Sequence, residues 1–236
     1  MSAAPTTETR KRVDRTSPLV GWGLLAGGAF FLAGGPMHPK EDPPGVSVKE
    51  HFRVMFDDPS WYPAHAVLLV GMVLIAASLV ALVRSRALAD VPRAHVAAVI
   101  AAVAAAAAAP GMLLHLIAAV DADAIAAHQS TPILDVQSIV DTITVPAFGF
   151  SIAALAVIGA MTRTLGNPVT AVAGVVGGVG YGLAGATFLF TDRLNFLFPA
   201  ATGIALWTLA VAVGLLRPRR APSLATLNPT VPGSRS

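Results

Sequence analysis

Residues 62–84, YPAHAVLLVGMVLIAASLVALVR, form an apolar run that ends at Arg84 and holds one ionisable side chain within it, His65. As an α-helix, the part from 63 to 83 is long enough to cross the hydrocarbon layer, which takes roughly 20 residues. The stretch therefore predicts a membrane-spanning helix. The histidine near its start needs a separate explanation, because ionisable groups are costly at membrane depth.

Five similar runs occur elsewhere, near 18–35, 96–120, 144–162, 168–190 and 197–216. Only 12% of the 236 residues are charged, against roughly 25% in an average soluble domain. The frequent Ala and Gly favour helices over a β-barrel, whose strands would alternate apolar and polar residues. We predict an all-α integral membrane protein, a six-transmembrane-helix bundle over residues 17–217.

The basic residues predict the orientation of this bundle. Twelve of the 16 Lys and Arg residues lie in the two tails and in the connections near 84–93 and 163. The positive-inside rule then places both termini in the cytoplasm of a plasma membrane, and the first span is predicted to be an uncleaved helix. The tails, 1–16 and 218–236, are predicted to be disordered. Frequent Ala, and Arg in preference to Lys, indicate a bacterial source.

Two long outer loops, 36–61 and 121–143, are each predicted to carry a short amphipathic helix. In SVKEHFRVMF, Ser47 and Glu50 have the spacing of a capping box, and the apolar residues that follow share one helical face. In TPILDVQSIVD, Thr131 is the expected N-cap and Pro132 the first helical residue.

The sequence contains two further patterns. A Pro-Ala pair opens YPAHAVLLVG at 62, VPAFGFSIAA at 145 and FPAATGIALW at 198. These pairs predict three pseudo-repeated helical hairpins. The alternative interpretation is that Pro-Ala is only a common way to begin a membrane helix.

Small-residue spacings in the fifth span, at Gly174, Gly178 and Gly182, predict close packing within the bundle. Partner membrane subunits or a homo-oligomer are the less favoured reading of these glycines.

Five of the six histidines fall on the predicted outer side. His65 and His115 lie at matched depths in consecutive antiparallel spans, and His38 ends the first span. With a carboxylate from Asp121 or Asp123, these imidazoles would suit a divalent transition metal such as Zn²⁺ or Cu²⁺. Alternatively, His65 and His115 would be the axial ligands of a b-type haem, or each histidine would have a structural role.

The functional hypothesis is a metal- or haem-binding membrane protein that acts as an electron-transfer or accessory component. The alternative is a non-catalytic structural subunit or assembly factor of a membrane complex. A small-solute transporter is less favoured, because no charged residue lies near the middle of a predicted span. The absence of Cys excludes thiolate metal sites, and no catalytic motif or nucleic-acid site is indicated. The bilayer is the expected partner.

Overall fold

The computed structural model describes residues 18–39, 47–191 and 193–217, and the tails predicted to be disordered lie outside these ranges. Within them, six helices are long and apolar enough to cross a membrane, as predicted. The α-helices are α1 (Pro18–Met37), α2 (Val48–Asp57), α3 (Trp61–Arg84), α4 (Pro92–Ile117), α5 (Ala122–Ala126), α6 (Pro132–Met161), α7 (Pro168–Thr187) and α8 (Ala201–Leu216). Two 3₁₀ segments, Ala118–Asp121 and Asn195–Ala200, precede α5 and α8.

The six long helices form a closed ring. Each packs against the next along the chain, in the order α1, α3, α4, α6, α7 and α8, and α8 returns to α1. Gly21 near the start of α1 lies against Leu216 at the end of α8, so both described termini are at one end of the ring. We call this the terminal end, and the opposite end, which carries α2, the α2 end.

The fourth spanning helix is longer than the sequence predicted. It begins at Pro132 and not near residue 144, so the segment TPILDVQSIVD is continuous with the span. Pro146 consequently lies inside α6, and its Pro-Ala pair does not begin a helix. Thr131 is at the N-cap position and Pro132 is the first helical residue, as predicted, but the Thr131 side chain does not cap the helix. The carboxylate of Asp121 instead accepts a hydrogen bond from the Leu134 N–H (2.8 Å) in the first turn of α6. This contact stabilises a helix start that local hydropathy does not reveal.

The amphipathic helix predicted in the first outer loop is present as α2. The Ser47 hydroxyl accepts a hydrogen bond from the Glu50 N–H at 3.2 Å, as the capping motif predicted. The Arg53 guanidinium pairs with Glu50 at 2.7 Å and lowers the pKa of that carboxyl. Apolar residues of α2 are buried against the α2 end of the ring, and they are Phe52, Met55 and Phe56.

The glycines of α7 allow its backbone to approach its neighbours. A Cβ added at Gly178 would overlap the carbonyl oxygen of Gly149 on α6, and one added at Gly174 would lie 2.6 Å from the Ala156 Cβ. Both contacts are within the chain, as the sequence analysis favoured. They explain why side chains larger than hydrogen are excluded at this helix interface.

Candidate metal centre

Three imidazoles from three helices meet near the α2 end of the ring. His38 directly follows α1, His65 lies in the second turn of α3, and His115 lies in the last turn of α4. The His65 ring centroid is 4.7 Å from that of His38 and 4.8 Å from that of His115. One nitrogen of each residue lies within 4.8 Å of the others, which is the geometry of a potential metal site.

Trp61 positions two of these rings. Its indole is fully buried, and its centroid lies 3.8 Å from that of His65 and 5.2 Å from that of His115. The indole N–H donates a hydrogen bond to the Leu116 carbonyl at 3.2 Å, which ties the start of α3 to the end of α4. Phe56 of α2 packs edge-to-face against the indole, with ring centroids 4.6 Å apart.

The hydrogen bonds of His65 and His38 determine which nitrogen of each is available. Nδ1 of His65 lies 2.7 Å from the Trp61 carbonyl, and Nδ1 of His38 lies 3.1 Å from the Pro39 carbonyl. Because a carbonyl can only accept, each Nδ1 carries the proton and each Nε2 keeps its lone pair. Burial lowers the pKa of His38, which favours the neutral imidazole that a metal requires. Nε2 of His65 is buried and has no hydrogen-bond partner among the described residues.

His115 is oriented by a carboxylate. Its Nδ1 lies 3.1 Å from Oδ2 of Asp141 on α6, and it also lies 2.8 Å from Nε2 of Gln137. The Gln137 amide donates to the same Asp141 oxygen. Donation from Nδ1–H to Asp141 leaves Nε2 of His115 as a ligand, whereas acceptance from Gln137 would require the other tautomer. A metal bound at Nε2 would select the first arrangement, in which a carboxylate supports a ligating histidine.

Asp141 and Gln137 were not predicted as part of the site, because the sequence placed them on a separate short helix of the second outer loop and not on a spanning helix. Their i, i+4 spacing was the signal available, since it puts both on one face of a helix. The two carboxylates that the sequence suggested as ligands, Asp121 and Asp123, lie elsewhere. Asp121 accepts from the Leu134 N–H, Asp123 is exposed on α5, and neither belongs to the group of converging donor atoms.

A cavity of about 440 Å³ adjoins the three imidazoles. His51 of α2 and Asp141 also line it near the histidines, and most of the remaining wall is apolar. The volume is in the range of small-molecule sites, which are about 300–1,000 Å³ and combine apolar walls with a few converging polar groups. The site therefore has open space next to its donor atoms.

Comparison with protein-family models, with curated proteins and with solved structures returned no match. The class of the protein follows from its own fold and site. It is a membrane protein with six candidate spanning helices, and it contains a histidine triad with the geometry to hold a metal ion.

Proposed function

We propose that this membrane protein binds a divalent transition metal ion through Nε2 of His38, His65 and His115. The observation that carries the proposal is the convergence of the three rings, each with its Nδ1 next to an oxygen acceptor. This leaves three lone pairs available to one ion and holds the rings in orientation before the ion arrives. We also propose that both termini are cytoplasmic and that the centre lies on the outer side of a bacterial plasma membrane, and the distribution of basic residues supports this proposal.

The ring separations favour a metal ion over a haem. With metal–nitrogen bonds of about 2.0 Å, two imidazole centroids lie about 5 Å apart in a tetrahedral centre and about 6 Å apart across a haem iron. Two of the three pairs, His38–His65 at 4.7 Å and His65–His115 at 4.8 Å, are closer to the tetrahedral value than to the haem value. Binding would draw the donor nitrogens, now within 4.8 Å of one another, to about 3.3 Å.

The ligand set also indicates the kind of ion. Three neutral imidazoles without a thiolate suit Zn²⁺ and Cu²⁺, and they are poor ligands for Mg²⁺ or Ca²⁺, which prefer oxygen. Three protein ligands leave a fourth position, and the adjoining cavity supplies space for it. The proposed centre is thus one whose fourth ligand can exchange. A copper ion there would support electron transfer, and a zinc ion would polarise its fourth ligand.

Metal analysis of the purified protein tests the proposal. The protein is purified in detergent without an affinity tag that contains histidine, incubated with Zn²⁺ or Cu²⁺ and desalted. We expect one ion per chain, and loss of that ion in His65→Ala and in His115→Ala. His128→Ala is the matched control, because His128 is an exposed histidine outside the triad, and it should retain the ion.

Two results would overturn the proposal. One is the absence of stoichiometric metal in the wild-type protein. The other is equal loss of metal in His128→Ala and His65→Ala. An absorbance scan of the protein expressed with excess haem precursor separates the haem alternative, which alone predicts a Soret band that disappears in His65→Ala.

A further inference from the structure

The cavity extends from the histidines toward the middle of the bundle. Three residues on its wall, Phe31, Met72 and Ala108, each lie seven positions deeper than one of the three histidines. Seven residues are about two helical turns, so each pair shares one helical face and is separated by about 10 Å along the axis. The cavity therefore has a polar upper part at the imidazoles and an apolar floor about 10 Å below them.

The seam between α1 and α8 opens at the level of this cavity. Gly21, Gly28 and Gly35 are spaced by seven and lie on one face of α1. A Cβ at Gly21 would lie 2.8 Å from Leu216, and one at Gly28 would lie 3.0 Å from Leu209, so the helices are tightly packed there. A Cβ at Gly35 would meet nothing within 4 Å. The two helices thus separate toward the α2 end.

The residues at this gap belong both to the cavity wall and to the exposed surface of the bundle. They are Gly35 and Pro36 on α1, and Pro199 and Thr202 on the last connection and α8. Pro199 lies in the 3₁₀ segment that replaces the outer turns of the last span. Since α1 and α8 are membrane-spanning, the gap faces the side of the bundle, where lipid would lie.

Two buried polar atoms on the cavity wall have no partner among the described residues. They are Nε2 of His65 and Oδ1 of Asn195, and both residues line the cavity. His65 is 1% exposed, so its nitrogen is removed from bulk water. A buried polar atom without a hydrogen bond is unfavourable, and a bound ligand or ion relieves that cost.

We propose that the gap between α1 and α8 is a lateral portal through which a bilayer-resident amphiphile enters the cavity. Its Lewis-basic head takes the fourth position on the metal, and its apolar chain occupies the floor between Phe31, Met72 and Ala108. Asn195 lies beside the entrance as a polar contact for the head. This inference rests on the proposed metal site, because the ion is what holds the head at the imidazoles.

The shape of the cavity determines the class of ligand. A small hydrophilic ligand would reach the metal and leave the apolar floor unfilled. A hydrocarbon would leave the fourth position of the metal empty and Oδ1 of Asn195 without a hydrogen-bond partner. A molecule with both parts satisfies both ends of the cavity. An oxygen-donor head on an unbranched chain is the simplest member of this class.

Two hydroxamates with the same metal-binding head test the portal. The protein is reconstituted in phosphatidylcholine nanodiscs and loaded with Zn²⁺, its metal content is measured, and binding is followed by calorimetry with empty nanodiscs subtracted. We expect octanohydroxamic acid to bind at least about tenfold more tightly than acetohydroxamic acid, because its additional methylenes are buried on the floor.

Two substitutions test the floor and the entrance separately. Ala108→Phe fills the floor, and Gly35→Phe places a ring in the gap where a side chain has space. Ala108→Phe should bring the affinity for octanohydroxamic acid to within about threefold of that for acetohydroxamic acid while metal content is unchanged. Gly35→Phe blocks only the entrance, so it should leave both affinities unchanged and slow the binding of octanohydroxamic acid at least about tenfold in stopped-flow mixing. Gly214→Phe is the matched control, because a Cβ at Gly214 also meets nothing within 4 Å and the residue is at the terminal end. It should behave as the wild type.

The outcomes separate the two proposals. If the wild-type protein holds no stoichiometric metal, the proposed function fails and the portal fails with it. If the metal is bound but the two hydroxamates bind equally well, the metal site stands and the portal is overturned. A preference for octanohydroxamic acid that persists in Ala108→Phe, or a rate of binding that is unchanged in Gly35→Phe, would also overturn it.

Discussion

The ring centroids of His65 and His115 lie 4.8 Å apart, although the two residues belong to different membrane-spanning helices. Each ring also packs on the same indole, that of Trp61, at 3.8 and 5.2 Å. Because α3 and α4 are neighbours in the ring of helices, the indole of Trp61 contacts both histidines near the α2 end. The centre is thus built on rigid helices, with a single tryptophan as a shared support.

The carboxylate of Asp141 is expected to strengthen metal binding through His115. Asp141→Asn retains the shape of the side chain but removes the charge that stabilises Nδ1–H of the ligating imidazole. We expect metal affinity to fall by about 10- to 100-fold, as is usual when such a partner is lost, while the thermal stability of the metal-free protein changes little. Competition titration against a chelator of known affinity gives the measurement.

Asp123→Asn is the control for that experiment. Asp123 is exposed and lies outside the converging group, although the sequence had suggested it as a ligand. Its replacement should leave metal affinity within about twofold. A large loss in Asp123→Asn, with none in Asp141→Asn, would mean that the carboxylate has been assigned to the wrong residue.

The ring of Phe52 is expected to hold α2 over the metal centre. It is fully buried, with ring centroids 5.6 Å from Phe188 and 6.2 Å from His115. Phe52→Ala should lower the free energy of unfolding by about 3 kcal/mol, the usual cost of removing a buried phenyl ring. It should also speed removal of the metal by a chelator, because α2 would open more readily. Thermal unfolding in detergent and stopped-flow chelation measure the two effects.

Val54→Ala tests whether these effects depend on contact with the core. Val54 is on the same helix but is 41% exposed. Its truncation should change the free energy of unfolding by less than about 0.5 kcal/mol and leave chelation kinetics unaltered. Similar effects of the two substitutions would argue against a covering role for α2.

The interface between α6 and α7 should tolerate no side chain at Gly178. In Gly178→Ala, the added methyl group would overlap the Gly149 carbonyl oxygen, so one helix backbone must shift. Overpacking of this kind costs about 1–3 kcal/mol, and the melting temperature in detergent should fall accordingly.

Gly214→Ala provides the comparison, because a methyl group there meets nothing within 4 Å. It should preserve or slightly raise stability, since alanine favours helix more than glycine does. If Gly178→Ala were as stable as Gly214→Ala, the helices could not be packed as closely as the structure describes.

The orientation of the bundle is open to a direct labelling test, because the chain contains no cysteine. Ala127 is exposed at the α2 end and Ala89 is exposed at the terminal end, so each can be replaced by cysteine with little disturbance. In intact bacterial cells, a membrane-impermeant maleimide should label Ala127→Cys at once. It should label Ala89→Cys only after the cells are permeabilised, as the positive-inside rule predicts. The reverse pattern would invert the orientation.

The sequence predicted the spanning helices well, because hydropathy is a sum of local contributions that needs no knowledge of neighbours. The fourth spanning helix was predicted to begin near residue 144, whereas α6 begins at Pro132. The polar residues Gln137 and Asp141 lower the hydropathy of the first turns of α6, so the sequence predicts a separate short helix there and not the start of the span. Their burial is explained by His115, a partner on another helix that no local window contains.

The three histidines of the candidate site could be predicted from their positions along the chain. The matched depths of His65 and His115 follow from counting residues along two helices, and His38 follows from its place at the end of a span. The carboxylate could not be chosen in this way. Asp121, which the sequence suggested together with Asp123, caps α6 instead, and the position of Asp141 follows only from the extension of that helix.

The sequence by itself determined that the chain has six helices long and apolar enough to cross a membrane, that α2 is amphipathic, and that histidines gather near one end. The tertiary structure alone decided that three of these histidines converge, that Asp141 contacts one of them, and that a cavity adjoins them. The physical reason is that successive side chains rotate around the axis of a helix. Each residue turns an α-helix by about 100°, so depth can be counted along the chain. The direction in which a side chain points depends on how helices that are apolar on every face pack against one another.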